Sequence, residues 1–385
     1  MPVFPGIVKS KLPHTGTTIF TVMSALAKEH QAINLSQGFP DFPIDTQLAD
    51  LVKKAIKKGF NQYAPMPGLP QLRETIANKI ATTYGVNYNP KTEITITAGA
   101  TQAIFTAIAA TINEGDEVVI FTPAYDCYEP AITLNGGKPI YFQLSAPDYK
   151  VDWEKVKRII NQRTKMIIIN TPHNPTGSIL TKDDMQTLER MLSGTDILVL
   201  SDEVYEHIIF DNEPHESAVK FKGLAERAIV VSSFGKTFHV TGWKIGYCVA
   251  PENIMKEFRK AHQFNVFSVN TPMQWAINEY LQNPEHYNHL SAFYQEKRDF
   301  FRSLLKGSKF DILPCKGTYF QLLGYSKISE AKDIEFAKEL TIKHKVASIP
   351  VSVFYHQNHD DKVLRFCFAK ENDTLEKAAE ILHSL

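Results

Sequence analysis

The sequence predicts an α/β protein, with a mostly parallel central sheet between helices and a smaller α+β unit beside it. Three observations lead there. From about residue 93 strand-like apolar runs alternate regularly with helix-like stretches, the signature of repeated βα units. Runs such as Met166–Asn170, Ile197–Ser201 and Ile229–Ser232 are apolar almost throughout, as strands covered on both faces are. The length, 385 residues of which 43% are hydrophobic, suffices for an extensive core and for two domains.

In chain order, Pro5, Gly6, Pro13 and Gly16 punctuate the first segment, and a helix is expected from Phe20 to Glu29. Ile33-Asn34-Leu35 reads as a short strand running into the turn Gln37-Gly38-Phe39-Pro40. Residues 46–58 form an amphipathic pattern, with Leu48, Leu51, Val52, Ala55 and Ile56 on one face. A proline-broken loop around Tyr63 feeds the next helix. Then come a strand at Ile94–Thr97, a helix from Gly99 to about Ile112, and strands at Glu117–Phe121 and Ile140–Leu144 besides those above. Helices are expected near 152–161, 181–192, 271–282 and 284–306. The C-terminal unit should carry strands at Thr318–Leu323, Val346–Ile349 and Val363–Phe368, with helices at about 332–344 and 373–384.

Composition excludes several classes. With 42 basic against 42 acidic side chains, nothing suggests nucleic acid or an anionic membrane as partner. Cys127, Cys248, Cys315 and Cys367 are scattered without a CxxC pair, so neither a metal site nor a disulfide framework is expected. No basic stretch with a long apolar run opens the chain, so no signal peptide is expected, nor is a membrane span. A cytoplasmic globular protein is the expectation.

The chemistry gathers where open α/β sheets put it, at the carboxyl ends of the strands. Lys236 lies in Ser232-Ser233-Phe234-Gly235-Lys236-Thr237, just after an apolar strand. A phosphate loop would need glycine at Val230, so that account fails. Besides a plain surface lysine, a nucleophilic amine that condenses with a carbonyl remains. Asp202 ends Leu198-Val199-Leu200-Ser201, where a buried carboxylate calls for a cation such as a protonated ring nitrogen. Glu203 beside it is expected to support the fold. Tyr205 can send its hydroxyl into the same site. Asn174, fixed in Pro172-His173-Asn174-Pro175-Thr176-Gly177, can donate to a phenolate oxygen, while His173 serves the turn. Gly99-Ala100-Thr101-Gln102 opens a helix whose free amides suit a phosphate. Tyr125 offers a stacking face or simple packing. Gly38 exposes a backbone amide or merely turns the chain. Arg365 sits among Val363, Leu364, Phe366 and Phe368, where a buried arginine needs a carboxylate, from a substrate or from an internal salt bridge. With Ser233 and Lys244 near the phosphate, the set matches what pyridoxal 5′-phosphate needs.

The ordered motifs SQGFPDF, NQYAPMPGLPQLR, TAGATQA, NTPHNPTG, SDEVYEH, SSFGKTFHVTGWKIGY and RFCFAK span nearly the whole chain. Together they resemble the class I/II aminotransferases of pyridoxal-phosphate fold type I, and among these the methionine and kynurenine (aromatic amino acid) aminotransferases. The resemblance implies the following roles. Lys236 is the Schiff-base lysine, Asp202 the ring-nitrogen partner, Asn174 and Tyr205 the holders of the ring oxygen, and Tyr125 the stacking aromatic. Ala100, Thr101, Gln102, Ser233 and Lys244 surround the phosphate. Lys244 stands where aspartate-type members carry arginine, which keeps the charge and loses the fork. Arg365 binds the substrate α-carboxylate, with Gly38 beside it, and Tyr63 reaches the cofactor of a second subunit in a homodimer. The division implied is a large domain at 44–283 and a discontinuous small domain of 1–43 with 284–385.

The reaction implied is ping-pong transfer of an α-amino group to a 2-oxo acid, with Lys236 as base and acid, within amino acid metabolism. Phe20, Phe354 and Tyr355 border the expected pocket, and no second arginine offers itself for a side-chain carboxylate. That favours methionine, aromatic or kynurenine-type donors. A carbon–sulfur β-lyase would share almost every cofactor residue. A non-catalytic cofactor-binding regulator would need a DNA-binding module, for which there is neither spare length nor a basic stripe.

Overall fold

Seven strands build the sheet that carries the site, and their order follows from which runs are covered on both faces. The computed structural model describes residues 3–13, 15–357 and 359–385, so Met1, Pro2 and His14 of the N-terminal segment and Asn358 lie outside the description. A first short strand, β1 (Ile33–Asn34), stands apart from the main sheet. The sheet itself comprises β2 (Ile94–Thr97), β3 (Glu117–Thr122), β4 (Lys138–Gln143), β5 (Thr164–Asn170), β6 (Leu198–Asp202), β7 (Ala228–Ser233) and β8 (Gly246–Val249), in the order β2-β8-β7-β6-β5-β3-β4. All neighbours are parallel except β8, which runs antiparallel to both β2 and β7.

Alternation along β5 shows why the run is apolar throughout. Met166 and Ile168 pack toward helices Ala100–Thr111 and Glu252–Asn265, and Ile167 and Ile169 join the larger core on the opposite face. The pleat sends successive side chains to opposite faces, so a strand covered on both sides has no polar position to spare.

The later part forms an antiparallel sheet of β9 (Asp311–Ile312), β10 (Phe320–Gly324), β12 (Ile349–Pro350) and β13 (Val363–Cys367), ordered β12-β13-β10-β9. Strand β11 (Val346–Ala347) pairs in parallel with β1, and helix Ile19–Glu29 packs against helix Asp333–His344. Where one strand is expected at Val346–Ile349, the chain breaks at Ser348 and its halves join different sheets. The helix expected at 284–306 likewise divides at His289, into Glu285–Asn288 and Leu290–Leu304. Strand β8 and helices Tyr128–Leu134 and Glu252–Asn265 have no counterpart in the sequence reading. Among the described residues no helix is long and apolar enough to cross a membrane.

Register places the chemistry. Asn170 on β5 lies opposite Asp202 on β6, and Asp202 opposite Val231 on β7, so three carboxyl-terminal strand ends meet at one level. On the small sheet Arg365 pairs with Leu322 and Ile349, at the centre of three strands.

Candidate active site

A pocket opens above these strand ends, lined by Ala100, Thr101, Tyr125, Asn174, Asp202, Tyr205, Ser233, Lys236 and Lys244 among others. Most of the residues singled out in the sequence therefore share one cavity.

Lys236 lies in the single helical turn Phe234–Thr237 that follows β7. Its Nζ donates to the Gly38 carbonyl at 3.2 Å and to the Tyr319 hydroxyl at 2.9 Å. Burial pushes the amine down to about 8, so a substantial neutral fraction exists near neutral pH. The faces of Tyr205 and Tyr319 lie 5.7 and 5.5 Å from the nitrogen.

Asp202 is buried beneath the pocket. One oxygen accepts from the Tyr128 hydroxyl at 2.6 Å and the other from the Val204 amide at 3.3 Å. Burial raises the carboxyl to about 6, against which the Tyr128 bond works. A ring cation seated above it would restore the ionised form. Glu203 turns away, as expected, to Ser201, His215 and the Ala218 amide.

Asn174 is held by its turn. Its amide donates to Asn170 Oδ1 at 2.8 Å, and Asn170 Nδ2 in turn donates to the Asp202 carbonyl at 2.8 Å. Oδ1 of Asn174 accepts from Arg365 Nη1 at 2.7 Å, which leaves its Nδ2 hydrogens to the pocket. His173 bonds Thr176 within the turn at 2.7 Å, and burial pushes it down to about 4.

Arg365 is 1% exposed, yet its side-chain bonds run to the neutral oxygens of Asn174 and the Ser36 carbonyl, the latter at 3.2 Å. Its Nε has no partner, and among the described residues it joins no ion pair. The internal salt bridge is thus not the reason for this arginine. Its guanidinium lies 3.9 Å from the Phe320 ring centroid and 5.3 Å from those of both Phe20 and Phe354. Burial lowers it to about 10, a guanidinium in want of an anion.

At the other end, Gly99 takes a left-handed φ of 78° and turns β2 into helix Ala100–Thr111. A Cβ there would meet Lys244 Cε at 3.4 Å and Nζ at 3.5 Å, so glycine keeps open the space between the helix N-terminus and an ammonium. Ala100, Thr101, Ser233 and Lys244 all line that end. This cradle, the unmatched carboxyl of Asp202 and the lowered amine of Lys236 fit the phosphate, ring nitrogen and aldehyde of pyridoxal 5′-phosphate.

Two expectations need correcting. Gln102 does not line the pocket: its Oε1 accepts from the Ala98 amide at 3.0 Å and its Nε2 donates to Thr106 at 2.6 Å, so the side chain serves the helix start. At Gly38 the group facing the site is the carbonyl rather than the amide, and the residue is small because a Cβ would come within 2.8 Å of Phe320 Cζ. Tyr63, expected to serve a second subunit's site, is 81% exposed against Phe267 and lies outside its own chain's pocket. Sequence reasoning missed Tyr128 and Tyr319, each of which reads as an ordinary packed aromatic.

A wider cavity extends outward past Tyr125 and Phe354, lined by Asp126, Glu129 and, from the N-terminal segment, residues that include Lys11, Thr18 and Val22. Tyr355 borders this outer space, its hydroxyl spent on the Leu144 carbonyl and Asp361.

The family model Aminotransferase class I and II matches residues 30–382. The chain is 50% identical to the methionine aminotransferase of Escherichia coli (strain K12), over 99% of each chain. It is 34% identical to the kynurenine–oxoglutarate transaminase of Dictyostelium discoideum, over 96% of this chain and 94% of that one. A crystal structure from Escherichia coli, reported to identify a methionine aminotransferase function, superposes with a TM-score of 0.97 at 50% identity, over 99% of this chain and 100% of that one. The aspartate aminotransferase of Thermus thermophilus superposes with a TM-score of 0.90 at 27% identity, over 98% and 99%.

Proposed function

The chain belongs to the class I and II aminotransferases, which work with pyridoxal 5′-phosphate, and we propose that it takes its amino group from methionine, an aromatic amino acid or a kynurenine-type donor. The observation that carries the reading is the convergence of Lys236, Asp202 and Asn174 on one pocket, with the buried Arg365 guanidinium bonded to Asn174 at 2.7 Å.

The cofactor, when bound, supplies an electron sink that makes the substrate α-proton removable. Asp202 keeps the ring nitrogen protonated, with Tyr128 favouring the ionised carboxylate. Asn174 Nδ2 and the Tyr205 hydroxyl hold the ring oxygen, Tyr125 lies against the ring, and Ala100, Thr101, Ser233 and Lys244 hold the phosphate. Arg365 receives the α-carboxylate in a two-pronged grip and so orients Cα toward Lys236. Lys236 Nζ would take the proton from Cα and pass it, on the same face, to the carbon of the cofactor's former aldehyde, the Cα–H electron pair being drawn into the electron sink, a task suited to an amine near 8.

The donor class rests on the pocket walls and on the names of the relatives. Phe20 and Phe354, 5.9 Å apart, flank the carboxylate-binding arginine with apolar surface. Beyond them the outer cavity carries Asp126 and Glu129 and, among its described lining residues, no arginine. A side-chain carboxylate would find no guanidinium there, Lys11 being the lysine among those lining residues.

The division into a domain at 44–283 and a discontinuous one of 1–43 with 284–385 is proposed with this reading, supported by the pairing of β1 with β11. So are a cytoplasmic location and a homodimer in which exposed Tyr63 reaches the neighbouring site. The test of function is the visible absorbance of the cofactor-loaded protein after adding L-methionine alone. The band should convert to the pyridoxamine form with one 2-oxo acid released per site. A persisting band, with pyruvate and ammonia accumulating from cysteine-type substrates, would replace the reading by the β-lyase.

A further inference from the structure

We propose that Tyr319 is a positioning residue for the proton transfer, which, with the Gly38 carbonyl, orients the freed Lys236 amine so that its lone pair faces the substrate Cα. The inference rests on the aminotransferase reading above and adds a group to it.

The argument is one of counting hydrogens. A neutral amine has two N–H bonds and one lone pair at roughly tetrahedral angles. Lys236 Nζ has two acceptors, the Gly38 carbonyl at 3.2 Å and the Tyr319 oxygen at 2.9 Å. The Tyr319 hydrogen is already committed to the same carbonyl, at 2.6 Å, so this hydroxyl can only accept from the amine. The two acceptors sit side by side, 2.6 Å apart, so the amine turns its N–H side toward both. The lone pair is left pointing away from Gly38 and Tyr319, toward the pocket that Lys236 lines.

When the lone pair takes the Cα proton, the new N–H lies on the pocket side, where the same proton can be delivered onward. No rotation about the Nζ bond is needed between the two halves of the transfer. Tyr319 keeps its own proton throughout, since burial holds its hydroxyl far above the usual phenol range. The step balances with Lys236 alone as carrier: the Cα–H bond breaks and its electron pair passes into the cofactor's electron sink, an N–H bond forms, and that proton would then be given up to the carbon of the cofactor's former aldehyde.

The phenol ring is already fixed by packing. Tyr319 is fully buried and meets Tyr205 edge-on at 5.2 Å and Phe320 at 4.9 Å. Removing the hydroxyl therefore leaves the ring in place, and Tyr319→Phe removes only its bonds to Lys236 and to the Gly38 carbonyl.

The test is single-turnover reaction of cofactor-loaded Tyr319→Phe with L-methionine and with α-deuterated L-methionine, across pH. The expected plateau rate falls by about tenfold or more, the deuterium effect grows, and half-saturating methionine and cofactor content stay near wild type. The acid limb moves to lower pH, because losing an acceptor disfavours the charged amine more than the neutral one. In the cofactor-free protein the Lys236 pKa, read by mass spectrometry from the pH dependence of its acylation, should fall by about one unit. An unchanged plateau and isotope effect would overturn the proposal. So would loss of cofactor content in step with the rate, which would make Tyr319 a structural residue. Failure of the wild type itself to convert methionine would instead refute the donor assignment, and the acylation profile would still decide the Tyr319–Lys236 bond.

Discussion

Replacing Arg365 with methionine separates a substrate-binding arginine from a structural one, because the two roles predict opposite balances of activity and stability. Breaking a buried salt bridge costs roughly 3–5 kcal/mol of stability, since a charge is left unpaired. Here the charge has no ion-pair partner among the described residues to begin with. The lowering of the guanidinium to about 10 corresponds to a burial penalty of roughly 3 kcal/mol, which the substitution removes. Set against it are two lost hydrogen bonds, to Asn174 and Ser36, and contact with the Phe320 face at 3.9 Å. Leaving two acceptors unsatisfied costs about 1–3 kcal/mol each, so the terms nearly cancel.

The expected net change in unfolding free energy is therefore within about 2 kcal/mol, read by denaturant titration of the cofactor-loaded protein. Activity should behave differently. Removing one partner of a buried charge pair formed with substrate costs about 2–5 kcal/mol, or roughly thirtyfold to several thousandfold in kcat/KM for L-methionine. Arg365→Lys should recover little of it, since the fork is lost with the guanidinium. Discrimination between methionine and the corresponding amine lacking the carboxylate should shrink by the same factor. A variant that unfolds 3–5 kcal/mol more easily, or that still discriminates like wild type, would refute the reasoning.

Asp202→Asn tests the ring-nitrogen partner through the cofactor-free protein. The carboxyl's folded value of about 6 exceeds its unfolded 3.8, so its contribution is fully present below about 4, is lost as pH rises to about 6, and stays lost above. Denaturant midpoints of cofactor-free wild type should show this as roughly 3 kcal/mol across the window, and the Asn variant should lack that slope. Tyr128→Phe removes the 2.6 Å donor to the same carboxylate and should weaken cofactor binding about tenfold by absorbance titration, while an unchanged affinity would show the bond to be idle. Tyr63→Ala and Lys236→Ala chains, each inactive alone, should regain activity when unfolded and refolded together. In the hybrid dimer one site has its own Lys236 and the partner's intact tyrosine, and no recovery would mean that Tyr63 does not act across subunits.

What the sequence made legible follows from the physics of strand ends. Lys236, Asp202 and Asn174 each stand just past or at the end of an apolar run, and parallel strands bring such ends to one edge whatever their spacing along the chain. Arg365 was legible for the opposite reason, as a charge in a run with no room for one. Tyr128 and Tyr319 carried no such signal. A buried tyrosine is ordinary, and the partners that give these two meaning lie 74 and 83 positions away. Gln102 misled because a polar side chain at a helix start suits a ligand and a cap equally, and here its partner is Ala98, four residues earlier. Strand β8 was hidden inside the stretch read for chemistry, and the break at Ser348 inside a run that looks like one strand. Sheet membership is decided by partners, which a local pattern cannot name.

The pocket's design lies in one shared imbalance. Lys236 and Arg365 are bases lowered by burial and Asp202 an acid raised by it, so each charged form is held at a cost. The cofactor and an amino acid bring the complement of each: a carbonyl that consumes a neutral amine, a ring nitrogen that gains from a carboxylate, and a carboxylate that needs a guanidinium. Penalties held in the protein alone are released when both are present, so binding and correct orientation reinforce each other. The links between these groups are short. Gly38 gives its carbonyl to Lys236 and Tyr319, while its missing Cβ makes room for the Phe320 ring, which lies against Arg365. The base that moves the proton and the arginine that places the substrate are thus held by one glycine and the Tyr319–Phe320 pair. Their relative position is set by backbone and aromatic packing, which gives Cα a fixed place against the lone pair of Lys236.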